Sequence, residues 1–293
     1  MTGEALIKLA KTRPLLSDGA MGTMLQGYGL QAGACPELWN VEKPDSVRAV
    51  CAAYVEAGSR MISTNTFGGS RLKLAAYGLS DRVAELNSAG AAIAREAAGE
   101  DDSVAGSIGP TGEFLEPLGD LSFDDAADVF AEQAEALAAG GVDVILLETF
   151  SDLQEARAAL TGALRAGLPC FCTFAFDTGG RTMMGLDPIK AAADMSSAGA
   201  AGVGANCGVG PQQALEIIAQ IRNTATGIVI AQPNAGLPKI VEGRTTYDST
   251  PQEMAEFALK SAQLGVNIIG ACCGSTPEHI RAMAGAIESL HIG

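Results

Sequence analysis

Short apolar runs alternate with alanine-rich amphipathic segments along the whole chain, and this alternation constrains the fold more than any other feature. Eight runs have strand character: Leu15–Asp18, Met61–Asn65, Val104–Ile108, Val144–Glu148, Phe171–Phe176, Gly202–Asn206, Ile228–Gln232 and Val266–Cys272. Each is followed by a stretch in which apolar residues recur at helical spacing. The spacing predicts a helix over Asp45–Ala57, just after Pro44. It predicts another over Phe123–Ala139, opened by Ser122, with Asp124 and Asp125 placed to meet the positive end of the helix dipole. Pro188, Pro211, Pro251 and Pro277 sit where helices should start, and Gly58, Gly140, Gly199 and Gly265 where they should stop. Strands alternating with helices imply a parallel sheet. Eight such units, with no linker or low-complexity break between them, predict an α/β fold: a (β/α)8 TIM barrel forming one domain over residues 1–293, with its core at about 10–285. The rival is a doubly wound sheet, which would usually carry a GxGxxG phosphate loop after its first strand. The only glycine-containing turn there, DGAMGT at Asp18–Thr23, lacks that spacing.

Charge narrows the function classes. The 293 residues hold 19 Lys+Arg against 34 Asp+Glu, a formal net charge of −15. No basic stripe is available for a nucleic-acid backbone or an anionic membrane, so neither is an expected partner. No run approaches the ~20 apolar residues of a membrane span, and the first residues show no apolar stretch behind a basic segment, so a cytoplasmic location is expected. Seven cysteines are an odd number in a chain too large to depend on disulfides. In a reducing compartment they are free, metal-bound or catalytic.

In a barrel, chemistry belongs at the C-terminal ends of the strands. Polar or soft residues close several of them here: Asp18, Asn65, Glu148, Asn206 with Cys207, Gln232 with Asn234, and Cys272 with Cys273. Cys51, Cys170 and Cys172 suit small apolar core positions, and Cys35 lies in a loop. Cys207, Cys272 and Cys273 instead adjoin Gly208, Gly270 and Gly274, which let the chain turn as the strands end. Three thiolates are soft ligands that select Zn²⁺, and a three-residue set leaves the fourth position open, as catalytic zinc sites do. Two other readings of Cys272 and Cys273 stand beside it: packing residues, or a vicinal redox pair. A zinc with three thiolates is a weak Lewis acid toward water but suits an incoming thiol held as thiolate, so the expected chemistry is alkylation of a substrate sulfur. Glu148, after four apolar residues, is placed to hold a substrate ammonium group or to serve as a core-edge carboxylate. Asp18 before Gly19 reads as a site residue or a plain Asp-Gly turn. Asn65, Asn206 and Asn234 read as substrate contacts or loop braces. His279, one turn into a helix behind Pro277, reads as a possible ligand, or as a structural or ligand-supporting residue. His291 reads as solvated, and the acidic surplus as an outer helix ring.

At this point the motifs match a family. The runs DGAMGTMLQ (Asp18–Gln26), ELWN (Glu37–Asn40), TNTFGGSRLKL (Thr64–Leu74), SIGPTGE (Ser107–Glu113), LLETFSD (Leu146–Asp152), GANCGVGP (Gly204–Pro211), PNAG (Pro233–Gly236) and GVNIIGACCGSTPEHI (Gly265–Ile280) resemble the homocysteine S-methyltransferase family. They are most similar to the homocysteine-binding domain of the cobalamin-dependent methionine synthases. The resemblance covers about residues 10–285, and the NC…GxCCG combination is its most specific part. It implies a (β/α)8 barrel with zinc on Cys207, Cys272 and Cys273, and homocysteine sulfur as fourth ligand. It also implies Glu148 at the substrate amino group, with Asp18, Asn65, Asn206 and Asn234 nearby, and Asn234 in the open zinc position when substrate is absent. The implied donor is methylcobalamin on a separate corrinoid protein or domain. No cobalamin-binding motif of the DxHxxG type occurs in the chain, so a stand-alone enzyme or an excised domain of a longer one is expected. The alternatives are an S-methylmethionine- or betaine-type enzyme, or a zinc subunit that binds homocysteine without turning it over.

Overall fold

The structure is a computed structural model and describes residues 1–241 and 244–290. His291, expected to be solvated, lies outside the described residues. Among the described residues, ten strands occur in chain order: β1 (Leu15–Leu16), β2 (Met61–Ser63), β3 (Ser103–Ile108), β4 (Val144–Phe150), β5 (Cys170–Phe174), β6 (Gly202–Asn206), β7 (Ile228–Gln232), β8 (Lys239–Val241), β9 (Arg244–Thr246) and β10 (Ile268–Ile269). Eight of them form one sheet in the order β1-β10-β7-β6-β5-β4-β3-β2, with every pairing parallel. The sheet closes on itself: Ser17 bridges Met61 in parallel, and Arg60 N–H donates to Leu16 O at 2.7 Å. That closure makes a (β/α)8 barrel and excludes the doubly wound alternative.

Two apolar layers hold it. Inside the barrel, Leu15, Met61, Ala105, Leu146, Phe171, Ile230 and Ile268 form one buried cluster. Leu6 and Ala10 join it from a helix over Gly3–Ala10, which plugs the N-terminal end of the barrel. The plug fits tightly, because a Cβ on Gly3 would lie 2.3 Å from the Asp143 carbonyl oxygen. The second layer lies between the strands and the helix ring, where small side chains such as Ala127, Ala134, Ala159 and Ala191 let helices approach the sheet.

The helix signals sit where the sequence places them. Ser122 accepts from Asp125 N–H at 3.1 Å to cap the Phe123–Ala139 helix. Pro188, Pro211, Pro251 and Pro277 are each the first residue of a helix. The Pro44–Glu56 helix starts one residue before the expected Asp45. Gly58, Gly199 and Gly265 end helices in left-handed conformation, with φ of 108°, 101° and 81°; at the fourth stop that role falls to Gly141 (φ 93°) rather than Gly140.

Strand lengths differ from the expectation at the chemistry-bearing ends. The last barrel strand spans Ile268–Ile269 instead of Val266–Cys272. Beyond it the chain still bonds alternately to its neighbours, Ala271 N–H to Asp18 O at 3.0 Å and Cys272 N–H to Pro233 O at 2.8 Å, but leaves the ladder. β4 instead runs two residues past Glu148, with its register to β5 shifting between Leu147 and Phe150. The antiparallel β8–β9 pair was not expected. Its sequence signal is two short runs with β-branched residues, overshadowed by the stronger βα period. No helix among the described residues is long and apolar enough to cross a membrane.

Candidate metal and substrate site

β6 ends on Asn206, and the next residue, Cys207, adopts φ 57°, unusual for a side chain with a Cβ. Gly208 continues the turn at φ 70°, and a Cβ there would lie 2.0 Å from the Phe176 carbonyl oxygen. This turn swings the Cys207 sulfur toward the segment leaving β10. There Cys272 and Cys273 are fixed through their backbones, Cys272 N–H donating to Pro233 O and Cys273 O accepting from Ala235 N–H at 3.0 Å. The three sulfurs, from chain segments 65 residues apart, lie within 4.8 Å of one another. All three thiols are free and partly exposed. Hydrogen bonds from the other two thiols hold Cys207 well below the usual thiol range, while the neighbouring sulfurs and burial push Cys272 well above it. Asn234 is buried beside Cys207, its side chain favouring the thiolate, and its amide oxygen has no partner among the described residues.

The sulfurs form one wall of a cavity of about 410 Å³ at the C-terminal mouth of the barrel. Three carboxylates, Asp18, Glu148 and Glu37, also line it. Asp18 accepts from Ser63 N–H at 2.6 Å and Ser63 Oγ at 3.2 Å. Glu148 accepts from Ser107 Oγ at 2.5 Å. Burial pushes Asp18 and Glu148 up to about 7, against the pull of these donors; for Glu148 the negative Asp18 and Cys207 add to the rise. A cationic group entering between them would relieve that burial cost, so the pocket is electrostatically complementary to an amine.

Asn65 lines the cavity, but its amide nitrogen is committed to Pro36 O at 2.8 Å and Asn40 Oδ1 at 2.9 Å. Asn206 stands behind the wall: its oxygen accepts from Thr149 N–H and Thr173 Oγ, and its nitrogen reaches Thr149 Oγ at 2.7 Å and Glu148 Oε2 at 3.4 Å. It braces Thr149, which holds a left-handed φ of 67° immediately after Glu148 and so sets the direction of that carboxylate. His279 points away from the sulfurs. Its Nδ1 accepts from Thr276 N–H at 3.1 Å and its Nε2 donates to Ser249 O at 2.9 Å, matching the structural reading. Cys51, Cys170 and Cys172 are fully buried, and burial pushes all three thiols up, as expected for packing residues. Cys35 donates to Glu37 Oε2 at 3.3 Å. Ser63, Ser107 and Glu37 line the cavity, and the sequence reading did not single them out. Ser63 and Ser107 carried a signal, since both lie at or next to a strand end.

A closed barrel that gathers free thiols and buried carboxylates at its catalytic rim is an α/β-barrel enzyme with a thiolate-rich, metal-competent centre. The chain belongs to the homocysteine S-methyltransferase family, whose family model matches residues 15–287. Among curated relatives, methionine synthase of Mycobacterium tuberculosis is 34% identical over 304 residues, covering 97% of this chain and 25% of that protein. Methionine synthase of Mycobacterium leprae is 33% identical over 307 residues, covering 98% of this chain and 25% of that protein. The chain thus spans about a quarter of the length of these relatives. Among solved structures, the oxidized form of the homocysteine methyltransferase MmuM from Escherichia coli superposes with a TM-score of 0.76 at 24% identity, covering 93% of this chain and 95% of that one. Its metallated form gives 0.76 at 23% identity, covering 93% and 96%. These likenesses establish the shared barrel.

Proposed function

We propose that the protein transfers a methyl group to the thiol of homocysteine, giving methionine, at a zinc site formed by Cys207, Cys272 and Cys273. The observation that carries this reading is the convergence of three free sulfurs within 4.8 Å beside a cavity lined by three acids, among them Asp18 and Glu148. The donor set fits the metal: three soft thiolates select zinc and leave one position open, and the unpartnered Asn234 oxygen stands next to Cys207. Zinc bound there would supply a centre at which a substrate thiol binds as a nucleophilic thiolate at neutral pH. The barrel's own residues do the rest. Glu148 and Asp18, ionised by the arriving charge, hold the substrate ammonium, and Ser107 and Ser63 fix their orientation. Asn206 holds Thr149, next to Glu148, in place, and Asn65 ties the Pro36–Asn40 segment to the rim of the cavity. Attack falls on the methyl carbon: a sulfur–carbon bond forms as the donor's bond to that carbon breaks, and the thiol proton leaves to solvent.

The methyl donor we assign is methylcobalamin, presented by a separate corrinoid domain or protein. Supporting this, the motif runs at Glu37–Asn40 and Thr64–Leu74 resemble the cobalamin branch, and the matched relatives are methionine synthases about four times as long. Residues 1–293 then act as one homocysteine-activating barrel, and its unpaired thiols suit the reducing cytoplasm. Purified protein is expected to hold one zinc per chain and to form methionine from homocysteine with methylcobalamin. In the same donor panel S-methylmethionine and betaine are expected to give none. Turnover with either of those and not with methylcobalamin would overturn the donor, and homocysteine binding without any turnover would leave a delivery subunit.

A further inference from the structure

The strand-to-helix segments at the barrel mouth differ in length. The strands that carry Glu148 and lead to Cys207 are followed by short ones, residues 151–152 after β4 and 207–210 after β6. In sheet order these two alternate with three long segments: residues 109–122 after β3, 175–187 after β5 and 233–250 after β7. Each long segment holds an apolar side chain out in water. Leu118 is 69% exposed, Met183 82% and Ile240 73%, more than any other large apolar residue among those described. All three stand on built turns. Around Leu118, Glu116 N–H donates to Leu121 O at 2.9 Å and Gly119 N–H to Leu115 O at 3.1 Å. Next to Met183, Thr182 N–H donates to Leu186 O at 2.9 Å, and Thr182 Oγ donates to Ser151 O of the short β4 segment at 2.7 Å. Ile240 pairs with Thr245 across the β8–β9 hairpin. At the opposite end of the barrel the exposed large apolar residues among those described are Leu164, Leu264 and Leu290, each where a helix ends.

We infer that Leu118, Met183 and Ile240 are the contact points of a docking surface that seats a corrinoid-bearing domain over the mouth while its methyl group is transferred. The inference rests on the donor reading proposed above and adds the surface that holds the donor. None of the three side chains lines the cavity, so a small donor lying inside it would leave them in water. A folded domain cannot enter a cavity of about 410 Å³ and has to rest on the rim. The three tall segments flank the two short ones, so a partner seated on the tips spans the groups that react. The matched methionine synthases supply sequence for such a partner, since the part shared with this chain is 25% of each. Apolar side chains gathered at one face mark an interaction site, and turns that are already ordered lose little entropy when a partner lands on them.

The test offers the same donor free and carried. With Leu118→Glu, Met183→Glu and Ile240→Glu combined, methionine formation from homocysteine and free methylcobalamin is expected to match wild type. The carried donor is methylcobalamin bound to methionine synthase of Mycobacterium tuberculosis from which the matched quarter has been removed. With it, kcat/KM of the variant is expected to fall at least about 10-fold, the loss typical of an interface anchor. Leu118→Met, Met183→Leu and Ile240→Leu combined keep the apolar contacts and should restore the rate. An unchanged rate with the carried donor overturns the inference. So does an equal loss with both donors, which would mean damage to the barrel, and so does a wild type that uses the free donor but not the carried one. A wild-type dimer that dissociates in the variant, with both rates intact, would give the tips to a second copy of this chain and overturns it too. The two readings fail separately. Wild type idle with free methylcobalamin removes the donor reading and the inference with it, whereas wild type and variant equally active with both donors remove the inference alone.

Discussion

The two ends of this barrel are built from opposite materials. At the N-terminal end, Leu6 and Ala10 of the plug helix meet Leu15, Met61 and Phe171 in an apolar cluster. At the C-terminal end, three thiols and three carboxylates share one cavity, and two non-glycine residues, Thr149 and Cys207, hold left-handed backbone. One end spends its burial on packing. The other buries groups that water would rather keep, which is tolerable only because the first end and the helix ring supply the stability.

Cutting into each end should therefore give opposite phenotypes. The largest effect on chemistry is expected from Cys207→Ala: zinc content falling from about one per chain toward none, with methionine formation lost and the melting temperature of the metal-free protein little changed. Zinc retained in that variant would refute the site. The largest effect on stability belongs to the other end, where Phe171→Ala should cost ~3–5 kcal/mol in denaturant melts while zinc stoichiometry of the folded fraction stays intact. Next comes Glu148→Gln, which should raise KM for homocysteine roughly 10- to 100-fold, consistent with the ~1.5–3 kcal/mol of a charged hydrogen bond, and lower zinc content little.

The buried acids also give a pH signature whose sign is fixed by their direction. Glu148 sits at about 7 in the folded chain against 4.5 when exposed, so the fold binds a proton that the unfolded chain releases. Its contribution is fully present below about 4.5 and is lost as pH rises toward 7. Substrate-free protein should thus gain stability on acidification through that window, and Glu148→Gln should flatten the gain. A wild-type profile identical to the variant's would show the carboxylate to be ionised already. The smallest effect is expected on the outer ring, where Lys260→Ala removes an exposed ion pair to Glu256 and should change stability by less than ~0.5 kcal/mol.

The same contrast governs what the sequence discloses. Ile228–Gln232 and Gly202–Asn206 are strands in both readings, because a buried parallel strand needs only a short apolar run, and proline and serine mark helix starts by rules that act locally. The convergence of Cys207 with Cys272 and Cys273 is legible too, since strand ends in a barrel all face one mouth. The lost legibility lies where tertiary contact decides. The last strand shrinks to Ile268–Ile269 because its following residues bond to Asp18 and Pro233 instead of keeping ladder register. Whether an asparagine lines the cavity or stands behind it depends on which neighbour claims its amide: Thr149 claims Asn206, while Pro36 and Asn40 claim Asn65. The β8–β9 hairpin was invisible because it departs from the repeating unit.

Cys207 and Thr149 have a consequence for anyone who would make this barrel hardier. Each holds a conformation that glycine adopts freely and other residues adopt at a cost of order 1 kcal/mol or more. Random selection for heat tolerance would be rewarded at these two codons first, and each reward would erase a sulfur or misaim an acid. A screen that scores thermal endurance alone is therefore expected to breed a sturdier scaffold with its reactive mouth dismantled.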